Sequence, residues 1–388
     1  MSSFTVEENK SIYGAKIKVV GVGGGGGNMV NHIIRVNPNL NIDLIVANTD
    51  AKALENSLAH TKIQLGEKTT KIQLGEKTTK GLGAGMRPEI GKAAAEESYD
   101  EVKSALETSD IVFIGTGLGG GTGTGAAPVV AQAAKDIGAL TVAVVTMPFM
   151  FEGKKRRKLA DCGLEELRKE SDSIVVIPND KLLTLIDKNA GIKESFEMVD
   201  EVLARAVNGM STIVLDSGKS DINLDFADVR TIMSHRGLAL MGVGEASGED
   251  AAQEAIKNAI QSPLLDNMTI NGAFGILVHF RISPSCPLAD INNAMSIIHE
   301  AADEDAEIIF GTTTDDKIED NKVEVTIIAT GFQSSQKETE KKDEVQTSNA
   351  SDIIKKERIL RLKKVSGGYD EDYMSQLDVP SFMRHQMD

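Results

Sequence analysis

Over most of the first 330 residues, short apolar runs alternate with segments whose apolar residues recur every three or four positions. Lys16–Val22 is an apolar run closing on glycine, and Asn28–Val36 follows with helical spacing, Met29, Ile33 and Val36 on one face. The same pattern predicts strands at Asp43–Ala47, Asp110–Gly115, Leu140–Thr146 and Ser173–Ile177. Between them it predicts helices at Pro88–Leu106, Thr124–Asp136 and Glu152–Glu170, the first headed by a proline at its start. Strands that are apolar throughout, set between helices, belong to a parallel sheet covered on both faces.

Lys193–Leu215 reads as one long helix. Phe196, Val199, Leu203, Ala206, Met210 and Ile213 form a stripe that Met198, Val202 and Val214 widen, and a helix apolar over most of its girth is buried. After Ser217-Gly218 come helices at 226–234, 249–261 and 288–301 and strands at 238–243, 274–280, 306–310 and 323–329. The expectation is two α/β domains, 16–192 and 217–332, joined by a central helix, 193–216, behind a flexible N-terminus, 1–15. Past Phe332 the chain turns to Lys, Glu, Asp, Ser and Gln, which predicts a disordered linker over 333–375 and a short tail, 376–388. One basic, partly apolar island, Ile353–Val365, interrupts the linker; it reads as a transient helix, or as one that forms on a partner or an anionic membrane.

Thr61–Thr69, TKIQLGEKT, is repeated without change at Thr70–Thr78. A single tandem copy is not a solenoid repeat. Its Gly, Lys and Thr content predicts a surface loop, where nine extra residues cost little closure entropy.

Composition narrows the classes. No apolar stretch reaches the ~18–20 residues of a membrane-crossing helix, and the N-terminus lacks the basic and apolar regions of a secretory signal. Two cysteines cannot build a disulfide framework, and neither CxxC nor HExxH occurs. The net charge is −16, which argues against a nucleic-acid binder of the basic-patch kind. Ten basic and eleven acidic residues follow Phe332, so nearly all of that charge lies in residues 1–332.

The candidate chemistry sits in glycine turns. Gly21-Val-Gly-Gly-Gly-Gly-Gly-Asn28 links the first strand to a helix. Glycines let backbone N–H groups approach phosphate oxygens, and a helix N-terminus adds positive potential. The spacing also fits GxGxxG with Asp50 at a later strand end, a weak dinucleotide fingerprint, and a plain helix-packing turn has the same appearance. A second turn, Gly117-Leu-Gly-Gly-Gly-Thr-Gly-Thr-Gly-Ala-Ala-Pro128, packs glycines and two hydroxyls between another strand and helix. Two such turns in neighbouring units suit a nucleoside triphosphate better than a dehydrogenase cofactor, and no GxxxxGK[ST] is present. A third, Gly81–Pro88, ends at a helix start, where Arg87 could reach a phosphate.

In this order GVGGGGGN, ANTD (47–50), GLGAG, GGGTGTGAAP, PFMFEGKKR (148–156), IPNDKLL (177–183) and NLDFADVRTIM (223–233) resemble the FtsZ family, the tubulin-like GTPases of bacterial cell division. The resemblance spans about 16–332 and a terminal peptide at 377–384. It implies a tubulin-like, Rossmann-type α/β GTPase domain, a long central helix, a second α/β domain, and GTP/GDP with Mg²⁺ as ligands. By position it implies phosphate contacts from Gly24, Gly25, Gly26, Gly27 and Asn28 and from Gly119, Gly120, Gly121, Thr122, Gly123, Thr124 and Gly125. Glu152 matches the residue near the ribose, Arg156 the one near the phosphates, and Asn179, Phe196 and Asp200 the guanine pocket, with Pro148 a further nucleotide-binding position. A carboxylate at Asp200 can accept from guanine N1–H and the N2 amino group together, and Phe196 one turn earlier can pack on the base. Glu152 and Arg156 are also spaced as an ordinary i,i+4 pair. Met86-Arg87 stands where the family carries a small residue followed by Asn, and the duplication lies just ahead of that loop.

Asn223, Asp225 and Asp228 open a helix, the two acids i,i+3 on one face. They can orient a water for attack on a γ-phosphate, or serve as a helix cap and first-turn acid. If Asp200 touches the base, the 15 residues to Leu215 carry the chain about 22 Å away. The acidic loop, 221–229, is then expected to act on a neighbour stacked head to tail. The resemblance further implies a cell-division (Z) ring at a cytoplasmic mid-cell site, with division proteins and membrane tethers docking on Leu377–Arg384, and no nucleic acid or direct membrane span.

Overall fold

Strands that are apolar on both faces need helices on both sides, and the chain supplies them. The computed structural model describes residues 15–36, 42–58, 69–182, 191–215, 226–234, 237–262, 270, 272–315 and 318–332. Residues 1–14, most of the first repeat copy, Asn223, Asp225, the expected linker with Ile353–Val365, and the tail peptide Leu377–Arg384 lie outside them. Seven strands run parallel: β1 (Ile17–Val22), β2 (Asp43–Asn48), β3 (Thr69–Gln73), β4 (Ile111–Gly117), β5 (Leu140–Met147), β6 (Ser173–Pro178) and β7 (Gly237–Ser247). Their order is β3-β2-β1-β4-β5-β6-β7. The sheet continues through β10 (Lys322–Thr330), antiparallel to β7 and to β8 (Gly275–Ile282), and ends on β9 (Glu307–Thr314), parallel to β8.

Two cores flank the parallel part. One gathers Met29, Val30 and Ile33 of α1 (Gly23–Val36) with Val199, Leu203, Val207 and Met210 of α9 (Ile192–Leu215) against β1, β4 and β5. On the other face lie α4 (Pro88–Glu97), α5 (Tyr99–Leu106), α6 (Thr122–Asp136) and α7 (Lys154–Glu170), rich in alanine at the contact. A third core under β7, β8 and β10 is closed by α11 (Ala251–Ile260) and α12 (Leu288–Ala301). The short helices α2 (Ala51–Glu55), α3 (Glu76–Thr79), α8 (Asn179–Leu182) and α10 (Phe226–Met233) and a 3₁₀ turn at Met150–Glu152 complete the described elements.

Several boundaries depart from the periodicity for identifiable reasons. Helix α1 begins at Gly23, not Asn28. Each interior glycine costs about 1 kcal/mol of helix propensity, but packing overrides it: a Cβ on Gly26 would stand 2.2 Å from the Gly115 carbonyl oxygen. The predicted 88–106 helix breaks at Ser98, whose hydroxyl accepts from Gly75 N–H at 3.1 Å and donates to the Gln73 carbonyl at 3.4 Å. The second repeat copy is not a surface loop. It forms the edge strand β3 and α3, with Ile72 and Leu74 fully buried. Asp50, the acid of the dinucleotide reading, caps α2, accepting from Lys52 N–H at 2.9 Å. On α9, Val199, Leu203, Ala206, Met210 and Val214 are buried as the stripe requires, whereas Phe196 is 41% exposed.

Lys18 is the buried cation of β1. Its ammonium donates to the Ala105 and Glu107 carbonyls at 2.8 and 2.7 Å, at the C-terminal end of α5, where helix carbonyls lack partners and negative potential gathers. Lys18→Met should keep the stem packed but strand those carbonyls, lowering stability by roughly 2 kcal/mol, read as a drop in the urea midpoint.

Candidate nucleotide-binding site

Strands β1, β4, β5 and β6 all point their C-terminal ends at one edge of the sheet, the place where open parallel sheets bind ligands. A cleft of about 420 Å³ opens there. Two helices present their N-termini to it: α1 through Gly24 and Gly25, and α6 through Gly121, Thr122 and Gly123. The first N–H groups of a helix have no intrahelical acceptor, so both ends offer donors and positive potential to an anion.

The glycines divide into two kinds. Cβ atoms added at Gly24 or Gly120 would meet no protein atom within 4 Å, and both residues line the cleft. A Cβ on Gly121 would lie 2.1 Å from the Gly85 carbonyl oxygen. The first kind leaves room for a ligand; the second lets two loops touch backbone to backbone. Asn28, Pro148, Glu152, Arg156, Asn179, Phe196 and Asp200 also line the cleft. Of the residues singled out in the sequence, Gly26, Gly27, Gly119, Thr124 and Gly125 are not on its walls. Gly26 packs on Gly115 and Gly27 faces Val46. The Thr124 hydroxyl accepts from Gly119 N–H at 2.8 Å and so shapes the turn, while Gly125 sits under Pro88. Arg87 is exposed and stays off the cleft, whose third loop contributes Gly85 instead.

Gly117 and Leu118, the opening of the second glycine turn, also line the cleft, as do Thr146, Val199 and Leu203, which the sequence did not mark as site residues. A signal for two of them existed. Val199 and Leu203 stand at i+3 and i+7 from Phe196, so they share its helix face.

The side chains are held in place. Glu152 accepts from Phe149 N–H at 2.9 Å and pairs with Arg156, so the i,i+4 pair forms and faces the cleft as well. The Thr49 and Thr122 hydroxyls share a 2.6 Å hydrogen bond. Phe149 is buried, stacked on Phe151 at 4.9 Å and edge-on to Phe196 at 5.6 Å. Asn179 Oδ1 is buried with no protein donor, an acceptor that a ligand N–H can satisfy. Burial, and then the charge of Glu197, push the Asp200 carboxyl up to about 7, with Arg35 pulling the other way. The polar atoms therefore suit a phosphate chain at the glycine turns and a base with N–H donors between Asn179 and Asp200. Among the described residues no group of three His, Cys, Asp or Glu is placed to hold a metal ion.

The acid expected to work on water is elsewhere. Val229, next to Asp228 on α10, packs with Met210, Ile111 and Leu140. Leu140 begins β5, whereas the cleft residue Thr146 is near its end, six residues or about 20 Å along the strand.

Two outcomes follow. Gly120→Ala should fold normally and weaken guanine-nucleotide binding at least tenfold, whereas Gly121→Ala should disturb the loop itself and lower the melting temperature. Titration calorimetry and thermal denaturation separate them. A carboxyl at Asp200 can accept from two N–H donors of one base edge only when ionised, because protonation turns one oxygen into a donor, so affinity for such a base should fall about tenfold between pH 8 and pH 6 as the free protein takes up the proton. Asp200→Asn should bind weakly with that part of the pH dependence removed.

Residues 16–187 match the family model for the GTPase domain of the Tubulin/FtsZ family, and residues 237–333 that for the C-terminal domain of the FtsZ family. The chain is 49% identical over 318 residues to the cell division protein FtsZ of Helicobacter pylori strain J99, covering 82% of this chain and 80% of that one. The FtsZ of strain 26695 is 48% identical over the same length. Among solved structures, an FtsZ dimer from M. jannaschii superposes with a TM-score of 0.74 at 44% identity, over 82% of this chain and 89% of that one. CetZ2 from Haloferax volcanii, solved as a GTPγS-bound protofilament, shares the fold at 21% identity and TM-score 0.68, over 88% of this chain and 99% of that one. With the cleft at the strand ends and both family domains in sequence, the chain belongs to the FtsZ family of tubulin-like GTPases involved in cell division.

Proposed function

We propose that the protein polymerises head to tail in a GTP-dependent way, and that the acidic loop of one subunit completes the hydrolytic site of the next. The observation that carries this reading is the separation of its two halves. The glycine turns stand at the C-terminal ends of β1 and β4, and α10 with Asp228 packs at the N-terminal ends of β4 and β5. A subunit with a cleft at one end and an acid at the other is suited to a heterologous contact that repeats without closing. Met150 and Phe151, 81% and 71% exposed, follow the cleft residue Pro148 and give that end an apolar rim for a second copy to cover. The dimer and protofilament forms of the solved relatives agree with it.

Within the site we assign the phosphates to Gly24, Gly25, Gly120, Gly121, Thr122 and Gly123, with Arg156 beside them. Asn179, Phe196 and Asp200 take the guanine, and Pro148 and Glu152 the ribose. Gly26, Gly27, Gly119, Thr124 and Gly125 act by shaping the turns. A Mg²⁺ ion, where bound, would be held through the phosphates of GTP and would supply charge neutralisation there. Asn223, Asp225 and Asp228 of the adjoining subunit orient the attacking water, and loss of the γ-phosphate weakens the joint. The assembly is the division ring at mid-cell, tethered through Leu377–Arg384.

Phosphate release per molecule should rise above a threshold protein concentration. Asp228→Ala should bind GTP with unchanged affinity, sediment as polymer and hydrolyse at least tenfold more slowly. Turnover per molecule that stays flat with concentration would sink the shared-site reading.

A further inference from the structure

The edge formed by β3 and α3 is specified by a short stretch of chain. Ile72 and Leu74 are buried, and the Thr79 hydroxyl donates to the Thr49 and Gly75 carbonyls at 3.3 and 3.0 Å. Gly75 has φ of 62°, and a Cβ there would stand 2.4 Å from Ala94 Cβ. The Glu97 carboxylate accepts from the N–H groups of Lys77 and Thr78 at 2.9 and 3.1 Å. The edge residues that make these contacts, Ile72 to Thr79, all fall within Thr70–Lys80. The same eleven residues, TKIQLGEKTTK, also run from Thr61 to Lys71, because the tandem identity extends two residues past the repeat unit.

Sliding the chain by nine residues therefore puts Ile63 where Ile72 lies, Leu65 for Leu74, Gly66 for Gly75, Thr70 for Thr79 and Lys71 for Lys80. At the head of β3, His60 would replace Thr69. We propose that either copy can fill this edge, so the protein has two registers of the β3–α3 element. Exchange between them moves nine residues from the segment ahead of β3 to a position directly ahead of Gly81.

Side-chain contacts do not distinguish the registers; connector lengths do. In the register described, ten residues, 59–68, join Leu58 to the head of β3; in the other Ala59 alone does, and the nine residues 72–80 fall between the edge and Gly81. The registers differ in what they do to the loop that follows. In the one described here Leu82 N–H donates to the Thr79 carbonyl, Ala51 N–H to Gly81 and Gly83 N–H to Thr49, so the edge and the loop leading to Gly85 are tied directly. In the other, nine residues separate the edge from that loop, and Gly85 is a wall of the cleft. The duplication thus makes the coupling between sheet edge and cleft variable.

The test is redundancy in stability, which does not involve GTP turnover. Ile63→Asp and Ile72→Asp each leave one intact copy, so each should melt within about 2 °C of the parent chain. The double variant has no intact copy and should melt roughly 8 °C lower, as expected for a charge placed in a buried strand position. A chain lacking Thr61–Thr69 has a single register, with only Ala59 and His60 to connect Leu58 to the strand. It should fold, and there the lone Ile72→Asp should cost as much as the double change. The proposal is overturned if Ile72→Asp alone melts as low as the double variant, if the single-copy chain does not fold, or if light scattering shows Ile72→Asp to be stable only as a dimer that exchanges strands.

Discussion

The cleft depends on helices α1 and α6 lying closer to the sheet and to a neighbouring loop than side chains allow. Backbone meets backbone at Gly26 against Gly115 and at Gly121 against Gly85. Those approaches aim two helix N-termini at one volume. Their dipoles and unpaired N–H groups then converge, and a polyanion can be held without a dedicated lysine. The rest follows from that arrangement. Strand β5 must end at Met147 so that Pro148 and Glu152 can turn over the cleft, and α9 must start beside Phe149 so that Phe196 and Asp200 can close the other end.

Much of this architecture was legible from the chain alone. The parallel sheet followed from uninterrupted apolar strands such as Leu140–Met147, buried at every position. The central helix followed from the stripe through Val199, Leu203 and Met210. Poly-glycine hid the first turn of α1, because propensity disfavours what packing there demands. Turn-like composition hid β3 as well. Its Ile72 and Leu74 are too few to carry a periodic signal, and its partner β2 is distant in sequence.

For the cleft, the motifs located the loops but did not rank their residues. Neighbouring glycines look identical in sequence, yet Gly120 faces open space while Gly121 is wedged against another loop. Asp50 completed a weak dinucleotide fingerprint in the sequence and caps a helix in the structure. Phe196 had the spacing of a core residue but sits near a helix end beside the cleft, 41% exposed, with Phe149 edge-on to its ring. Spacing reports which face of a helix a residue is on; it does not report where the covering elements stop.

The backbone contacts that shape the cleft also have a genetic consequence. Where two side chains clash, shrinking either one relieves the strain, so a lesion at one position can be suppressed at the other. At Gly121 the opposing atom is the Gly85 carbonyl oxygen, which no codon can alter. A lost glycine there has no compensating partner, and selection for restored function should return the glycine codon itself rather than second-site changes in the facing loop.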